Sequence, residues 1–513
     1  MSVITEVAPQ HWQSACSALL DQKMRFLGLY ASHAEGALAL RAMFHEQAEP
    51  VALVPGERRD GDGERCRVRP FAEVLCEPDS GYRPGCSSSP FRVLTCSSAE
   101  GSFGSIVHRV PAAVWDEREA HDLYGVELKG HEPMRALVAH PAALNDWTVP
   151  VTGQGTNQVV VGPIHAGVIE SGHFRFHAVG ERILNLDLRL FYKHRGLERA
   201  AQGASLERAI KIIQRACATD AVSNSLAYAQ ACEELLGLWP TKALALQRTL
   251  LVELERLYSH LNDIGAICAG IGFAPGAMAF SSMKERALRV NHALSGHRYL
   301  FDTIAVGHAT RLASEKAEAA AEELEALRSD AMRAWREVLF NASVQNRLKG
   351  TGTLPRKIAQ RLGAVGPAAR GSGLKLDART FSARLCYEGF VPLLPEDPTG
   401  DVASRMAARA AELPATFDML KELLEHVAHP PALLAGTEET APCSPIGVGV
   451  VEGPRGQSVC AVESDGETIE RVHLRSGSYA NWPSLAYCTA GNLLGDFPLI
   501  NKSFELCYAC VDR

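Results

Sequence analysis

The chain has 513 residues, 46% of them apolar, and a formal net charge of −7. That length supports about two to four domains with large cores, and the mild acidity without a basic block speaks against nucleic-acid binding. No apolar run approaches the ~18 residues of a membrane span, and the first residues (MSVITEVAPQHWQ) lack the basic and apolar regions of a signal peptide. The fourteen cysteines are scattered, which argues for a reducing compartment over a disulfide framework.

In chain order, Ala31 to Ala48 reads as helix and Val51 to Leu53 as a short strand. Gly56 to Gly63 and Gly81 to Ser89 are turn-rich polar loops. Cys66, Cys76, Cys86 and Cys96 recur at ten-residue spacing. Their flanks alternate like strands and no pair is close in sequence, which disfavours a metal site. Trp115 to Tyr124 reads as an acidic amphipathic helix, with Trp115, Ala120 and Leu123 on its apolar side. Glu117, Arg118 and Glu119 form its solvated face, and Gly125 is its C-cap. Pro141, Pro150, Gly153 and Gly155 mark a linker, with a domain boundary near 150.

Val159 to Val161 reads as a strand broken at Gly162–Pro163, and His173 to Val179 alternates as a half-buried strand. The turn between them holds His165, Glu170 and His173. Glu170 is open to two readings, a solvated carboxylate or a partly desolvated one that relays protons. Ser205 to Leu236 reads as one helix stopped at Gly237; it carries Cys217, Asp220 and Tyr228. Lys242 to Gly265 has a leucine stripe, with Glu253, Glu255, Arg256, His260 and Asp263 as its polar face.

Ala313 to Arg336 is a charged helix supported by the pairs Glu325–Arg328 and Asp330–Arg333. Arg370 and Asp377 fall in loops. Asp401 to Ala410 and Met419 to Val427 continue a helical bundle. Ile446 to Val451, Ser458 to Val462 and Ile469 to Leu474 read as strands, with turns at Gly453–Gly456 and Asp465–Gly466. The chain ends on FPLINKSFELCYACVDR, which holds its one Cys-x-x-Cys, Cys507 and Cys510. Two thiolates at this spacing suit nickel, zinc, copper(I) or iron–sulfur, but supply only half of a four-thiolate site. The bland alternative is two buried cysteines on a last turn.

Resemblance to known families adds to this reading. The segment VHRVPAAVWDEREAHDLYGVELKGHEPMR, Val107 to Arg135, resembles the signature of the 30 kDa-type docking subunit of respiratory complex I. GPIHAGVIESGHFRF, KHRGLER, QRAC and the terminal SFELCYACVDR occur in the order found in large subunits of nickel–iron hydrogenases. The chain is most similar to the group 4, energy-converting, membrane-bound type. TGTLPRKIAQRLGAVGPAARGSG, VEGPRG and NWPSLAYCTAGNLLGDFPLINKSF agree with it.

The resemblance implies an α+β fold. An N-terminal α/β domain like the 30 kDa-type subunit of complex I (1–150) would precede a large-subunit domain (151–513) with a long-helix bundle and small sheets. It implies a nickel–iron centre held by two Cys-x-x-Cys motifs. Cys507, Cys510 and Cys217 match three of those cysteines; Asp220 stands at the fourth and Asn224 at a neighbouring histidine. A carboxylate is a harder ligand than the bridging thiolate it replaces.

Glu170 matches the family's proton-relay glutamate, Glu198 the glutamate that supports a nearby magnesium, and Arg370 lies in a region near the metal pocket. Arg513 stands where mature relatives end in His or Arg. No clipped extension follows it, so the expectation is either maturation without cleavage or no nickel insertion. Implied partners are a small iron–sulfur subunit like that of complex I, which carries the cluster, a ferredoxin-like subunit and integral membrane subunits. The implied place is peripheral, on the cytoplasmic face of the inner membrane. Two alternatives are a metal-free coupling subunit and a quinone-reactive one, as in the quinone-binding member of complex I that shares this architecture, with Tyr228 and either His165 or His173 at the headgroup.

Overall fold

The computed structural model describes residues 2–34, 36–46, 91–138, 147–165, 170–428, 436–439 and 444–513. The expected strand at Val51, the two polar loops, Cys66, Cys76, Cys86 and Pro141 of the expected linker lie outside them.

The described residues of Ala31 to Ala48 are not helical. They contribute to two long antiparallel strands, β2 (Met24–Ala34) and β3 (Ala37–Glu46). With β1 (Val3–Glu6) and β4 (Phe91–Ser98) they form a sheet in the order β1-β4-β3-β2. The misreading has a physical cause. Leu40, Ala42 and Phe44 enter a core with Trp12 of α1 (Trp12–Asp21), while Met43 enters a second core on the opposite face. A strand buried on both faces shows no apolar–polar alternation.

That second core joins the two parts of the chain. Leu27, Tyr30, Met43 and Val93 pack there with Ile446, Val448, Val450, Val459 and Ala461. Helix α2 (Val114–Tyr124) ends on Gly125 at φ 71°, as expected for a left-handed cap. Its expected faces are exchanged in part. Leu123 is exposed, whereas Glu117 and Glu119 are buried. Glu117 accepts from the Ile106 N–H at 2.7 Å and faces His131 Nδ1 at 2.6 Å.

Strands β5 (Thr156–Val161), β6 (His173–Val179) and β7 (Arg182–Arg189) form an antiparallel sheet. Their inner residues Phe174, Phe176, Ile183 and Leu186 share a core with Tyr479, Trp482, Phe497 and Tyr508 from the C-terminal region. The predicted helix over Ser205–Leu236 is interrupted. It is α3 (Leu206–Ile213), a 3-10 turn to Ala216, an extended Cys217 (φ −156°, ψ 140°), and α4 (Ala221–Leu235). The break places Cys217 and Asp220 at a helix start.

The bundle consists of α4, α5 (Lys242–Gly270), α6 (Ala274–Ser295), α7 (Ala317–Leu339) and α9 (Val402–Ala428); the short α8 (Gly366–Gly371) precedes α9. The expected polar face of α5 is fully buried, with Glu253, Glu255, Arg256, His260 and Asp263 all at 0% exposure. On α7 the pair Asp330–Arg333 is present at 2.6 Å, but Arg328 reaches Asp418 of α9 at 2.5 Å, a contact between helices.

Strands β8 (Ile446–Gly453), β9 (Gly456–Ser464) and β10 (Ile469–Arg475) match their expected positions and form one antiparallel sheet. Gly447 and Gly449 lie against α4. A Cβ at either would overlap the carbonyl of Ala231 or Ala227, so their glycines set how closely helix and sheet approach. The chain closes with α10 (Gly477–Thr489), α11 (Phe497–Phe504) and α12 (Ala509–Asp512). Among the described residues, no helix is long and apolar enough to cross a membrane.

Candidate metal centre

Cys217, Asp220, Cys507 and Cys510, separated by up to 293 positions in the sequence, each offer a ligand atom within 4.8 Å of the others. Cys217 Sγ lies 3.0 Å from Cys507 Sγ, and Cys510 Sγ lies 3.4 Å from Asp220 Oδ2. The terminal motif closes on itself: the Cys510 N–H donates to Cys507 Sγ at 3.3 Å. The Cys217 and Cys510 thiols hold Cys507 well below the usual thiol range. Burial and the neighbouring thiols raise Cys510. Asp220 is pushed up to about 7, first by burial, against the pull of Arg455. Ungrouped thiols elsewhere are raised by burial alone or mainly by it, as at Cys268 and Cys488. Among the three thiols, Cys507 is the one whose neighbours favour the thiolate.

Asp220 is the N-cap residue of α4, yet its side chain caps nothing. Glu255 of α5 takes that role, accepting from the N–H groups of Val222 at 2.7 Å and Ser223 at 3.0 Å. The Asp220 carboxylate is thereby left to face the thiols. Arg455 steadies this corner, donating from Nη1 to Thr219 Oγ1 at 2.7 Å and lying 3.3 Å from Asp220 Oδ2. Asn224 stands one helical turn on. Its amide is 3.8 Å from Cys510 Sγ and its oxygen accepts from Ser458 at 3.1 Å.

Two arginines of α9 hold the approach to Cys507. Arg409 donates to the carbonyls of Ser503 and Phe504 at 2.9 and 3.0 Å and pairs with Asp263 at 3.0 Å; Arg405 donates to Ser503 Oγ at 2.9 Å. Sequence reading missed Glu255, Arg455, Arg405 and Arg409. In a charge pattern they are indistinguishable from surface residues; only their burial marks them.

Among the described residues, none of the other sequence candidates joins the group of four ligands. Glu170 is partly exposed and sits 3.3 Å from Lys193 Nζ. Its charge also acts on Asp512, two residues past Cys510. Arg370 is not in a loop. It lies on α8, fully buried, with Asp377 at 2.9 Å, Glu452 at 2.8 Å and Glu412 at 2.7 Å. His260 bonds to the same Glu412 at 3.1 Å. Tyr228 donates its hydroxyl to the Leu206 carbonyl at 3.0 Å, inside the helical core. His165 is bound to the Gly172 carbonyl at 2.6 Å and packs on Phe174.

The donor set fits one thiolate-rich ion with a single oxygen ligand. For the nickel–iron pair that the resemblance implies, it is one thiolate short, with a carboxylate, a harder donor, in that place. Glu198 does not fit magnesium. Arg471 Nη1 donates to its Oε2 at 2.7 Å; Arg513 Nε and the Leu474 N–H donate to its Oε1 at 2.7 and 2.8 Å.

Comparison with known proteins agrees with this architecture. The family model of the respiratory-chain NADH dehydrogenase 49 kDa subunit matches residues 270–444 and 437–513, and that of the 30 kDa subunit matches 87–151. Formate hydrogenlyase subunit 5 of Escherichia coli (strain K12) is 30% identical over 440 residues, covering 80% of this chain and 77% of that protein. The membrane-bound hydrogenase subunit alpha of Pyrococcus furiosus is 30% identical over 387 residues, covering 69% and 87%. A chain of the membrane-bound sulfane sulfur reductase, an archaeal respiratory membrane complex, shares the fold at a TM-score of 0.64 and 23% identity, covering 71% of this chain and 100% of that one. The chain belongs to the family of group 4 hydrogenase large subunits, related to the 49 kDa and 30 kDa subunits of respiratory-chain NADH dehydrogenase.

Proposed function

We propose that this chain is the large subunit of a membrane-bound oxidoreductase complex of the hydrogenase and complex I kind, and that it holds one metal ion at Cys217, Asp220, Cys507 and Cys510. The observation that carries this is the convergence of these four side chains from two distant segments into one buried group. The names of the relatives, a formate hydrogenlyase subunit and a membrane-bound hydrogenase subunit, support the complex. Residues 1–150 serve as the docking part and 151–513 as the metal-bearing part; the 30 kDa match over 87–151 supports that division. The partners are a small iron–sulfur subunit, a ferredoxin-like subunit and membrane subunits, with this chain peripheral on the cytoplasmic face.

A bound ion would supply a redox-active or Lewis-acidic centre. The chain supplies the rest. Cys507 carries the negative charge that holds a soft cation. Asp220 supplies the single oxygen ligand, its Oδ2 lying 3.4 Å from Cys510 Sγ. Arg455 keeps that carboxylate oriented. Glu170 lies near the C-terminal turn, where a proton leaving the thiols would reach solvent.

Elemental analysis with infrared spectroscopy of the intact complex tests the reading. About one nickel or other soft metal per chain, absent after Cys507→Ser, supports it; carbon monoxide and cyanide bands would add an iron partner. Iron confined to partner clusters, with no metal at these cysteines, would instead favour a metal-free coupling role, which the carboxylate at Asp220 and the amide at Asn224 already favour chemically.

A further inference from the structure

A second group of ligand types lies in the seam between the N-terminal and C-terminal parts. Glu119 comes from α2, Glu198 from the short helix Leu197–Ala201, and His473 from β10; all three are buried and their ligand atoms lie within 4.8 Å. Two carboxylates and an imidazole are donors that a divalent cation accepts.

Arg513 occupies the space between them. Its Nε donates to Glu198 Oε1 at 2.7 Å and its Nη2 donates to Glu119 Oε1. Its face lies over the Tyr479 ring at 4.9 Å from the centroid. Arg471 completes Glu198 from the other side at 2.7 Å. Two carboxylates therefore meet two guanidiniums, and the next pair outward, Asp116 with Arg475 at 2.9 Å, is balanced as well. Adding a divalent ion would leave two uncompensated positive charges in a site closed to water, which is prohibitive unless a cation leaves. Glu119 Oε2 and both ring nitrogens of His473 make no hydrogen bond among the described residues, so they are available as ligands once the guanidinium is gone.

We propose that the Arg513 guanidinium is the resident cation of the Glu119–Glu198–His473 cage, taking the place of a magnesium ion and locking the Cys510-bearing turn to α2. Arginine suits this role because its planar fork reaches two carboxylates at once, which lysine's point charge does not. The lock is continued by Asp512, which accepts from the N–H groups of Phe191 and Lys193 at 2.8 Å each. The thiol turn is thus anchored on both sides by its last two residues.

The test uses the full chain in its complex, with Mn²⁺ as the probe. In the wild type, pulsed electron paramagnetic resonance should show no Mn²⁺ coupled to a histidine nitrogen, and added Mg²⁺, which the thiol-rich centre does not favour, should leave the Tm of this chain unchanged. Arg513→Ala should lower the Tm and bind Mn²⁺ with nitrogen coupling at least about tenfold more tightly than wild type; added Mg²⁺ should recover part of the lost Tm. Arg513→Lys should bind no Mn²⁺ in the cage and keep an intermediate Tm. A histidine-coupled Mn²⁺ in the wild type, or a wild-type Tm raised by Mg²⁺, overturns the proposal. A folded Arg513→Ala that takes up no Mn²⁺ overturns it too. Where Arg513→Ala does not fold, the wild-type arms alone decide.

Discussion

Glu255 caps the helix that Asp220 begins. The two carboxylates stand on neighbouring helices, and Glu255 accepts the Val222 and Ser223 N–H groups that an N-cap aspartate would ordinarily take. This division leaves one carboxylate structural and the other turned towards the thiols.

The division has a pH signature. Burial, and next the charge of Asp220, push Glu255 from its ordinary 4.5 up to about 8. Below 4.5 the folded and unfolded states both hold the proton. Between 4.5 and about 8 the folded chain keeps a proton that the unfolded chain has released. Stability from this group is therefore greatest below 4.5 and falls as pH rises, by at most about 1.4 kcal/mol per pH unit. Glu255→Gln removes that charge and keeps one of the two acceptor oxygens, leaving its amide NH2 opposite the other N–H. Urea unfolding across about pH 5 to 8 should give a flatter profile for the variant; a parallel profile would show that Glu255 ionises normally.

Asp220→Cys supplies the missing soft ligand. Competition against a chromophoric chelator should show zinc or nickel held at least about tenfold more tightly than in the wild type. Unchanged affinity would mean that Asp220 does not ligate. Asp220→Asn, which cannot carry the negative charge, should weaken binding in the same assay.

Arg370 is surrounded by three buried carboxylates, Asp377, Glu412 and Glu452. Removing it in Arg370→Leu leaves those charges with Arg379, Arg256, His260 and backbone donors. The cost should be about 3–5 kcal/mol, read by denaturant unfolding. A loss of activity with unchanged stability would instead place Arg370 in the reaction.

Gly449 marks the closest approach of β8 to α4. Gly449→Ala would set its methyl against the Ala227 carbonyl, and both partners are backbone, so neither yields easily. The expected loss is about 1–3 kcal/mol or more. Because α4 begins at Asp220, metal affinity in the chelator assay should fall along with stability.

The sequence by itself determined much of this protein. The resemblance of its ordered motifs to a known family marked Cys217, Asp220, Cys507 and Cys510 as one group before any coordinate; alternation located β6, and short runs bounded by turns located β8, β9 and β10. Gly125 signalled the end of α2 because only a residue without a Cβ takes that left-handed turn readily. What the sequence could not carry is which charges are inside. Glu117, Glu119, Glu255, Arg256 and Asp263 sit in polar-looking patterns and read as solvated faces. Glu119 and Asp263 are buried with partners, Arg513 and the pair Arg409 and Arg455, that arrive from remote segments of the chain, whereas Glu117 meets Ile106 and His131 close by. Charge pairing across hundreds of residues leaves no local period to read. For the same reason α1-side and β8-side burial of β3 looked helical, and the cation in the Glu198 cage became visible only when the last residue was folded onto α2.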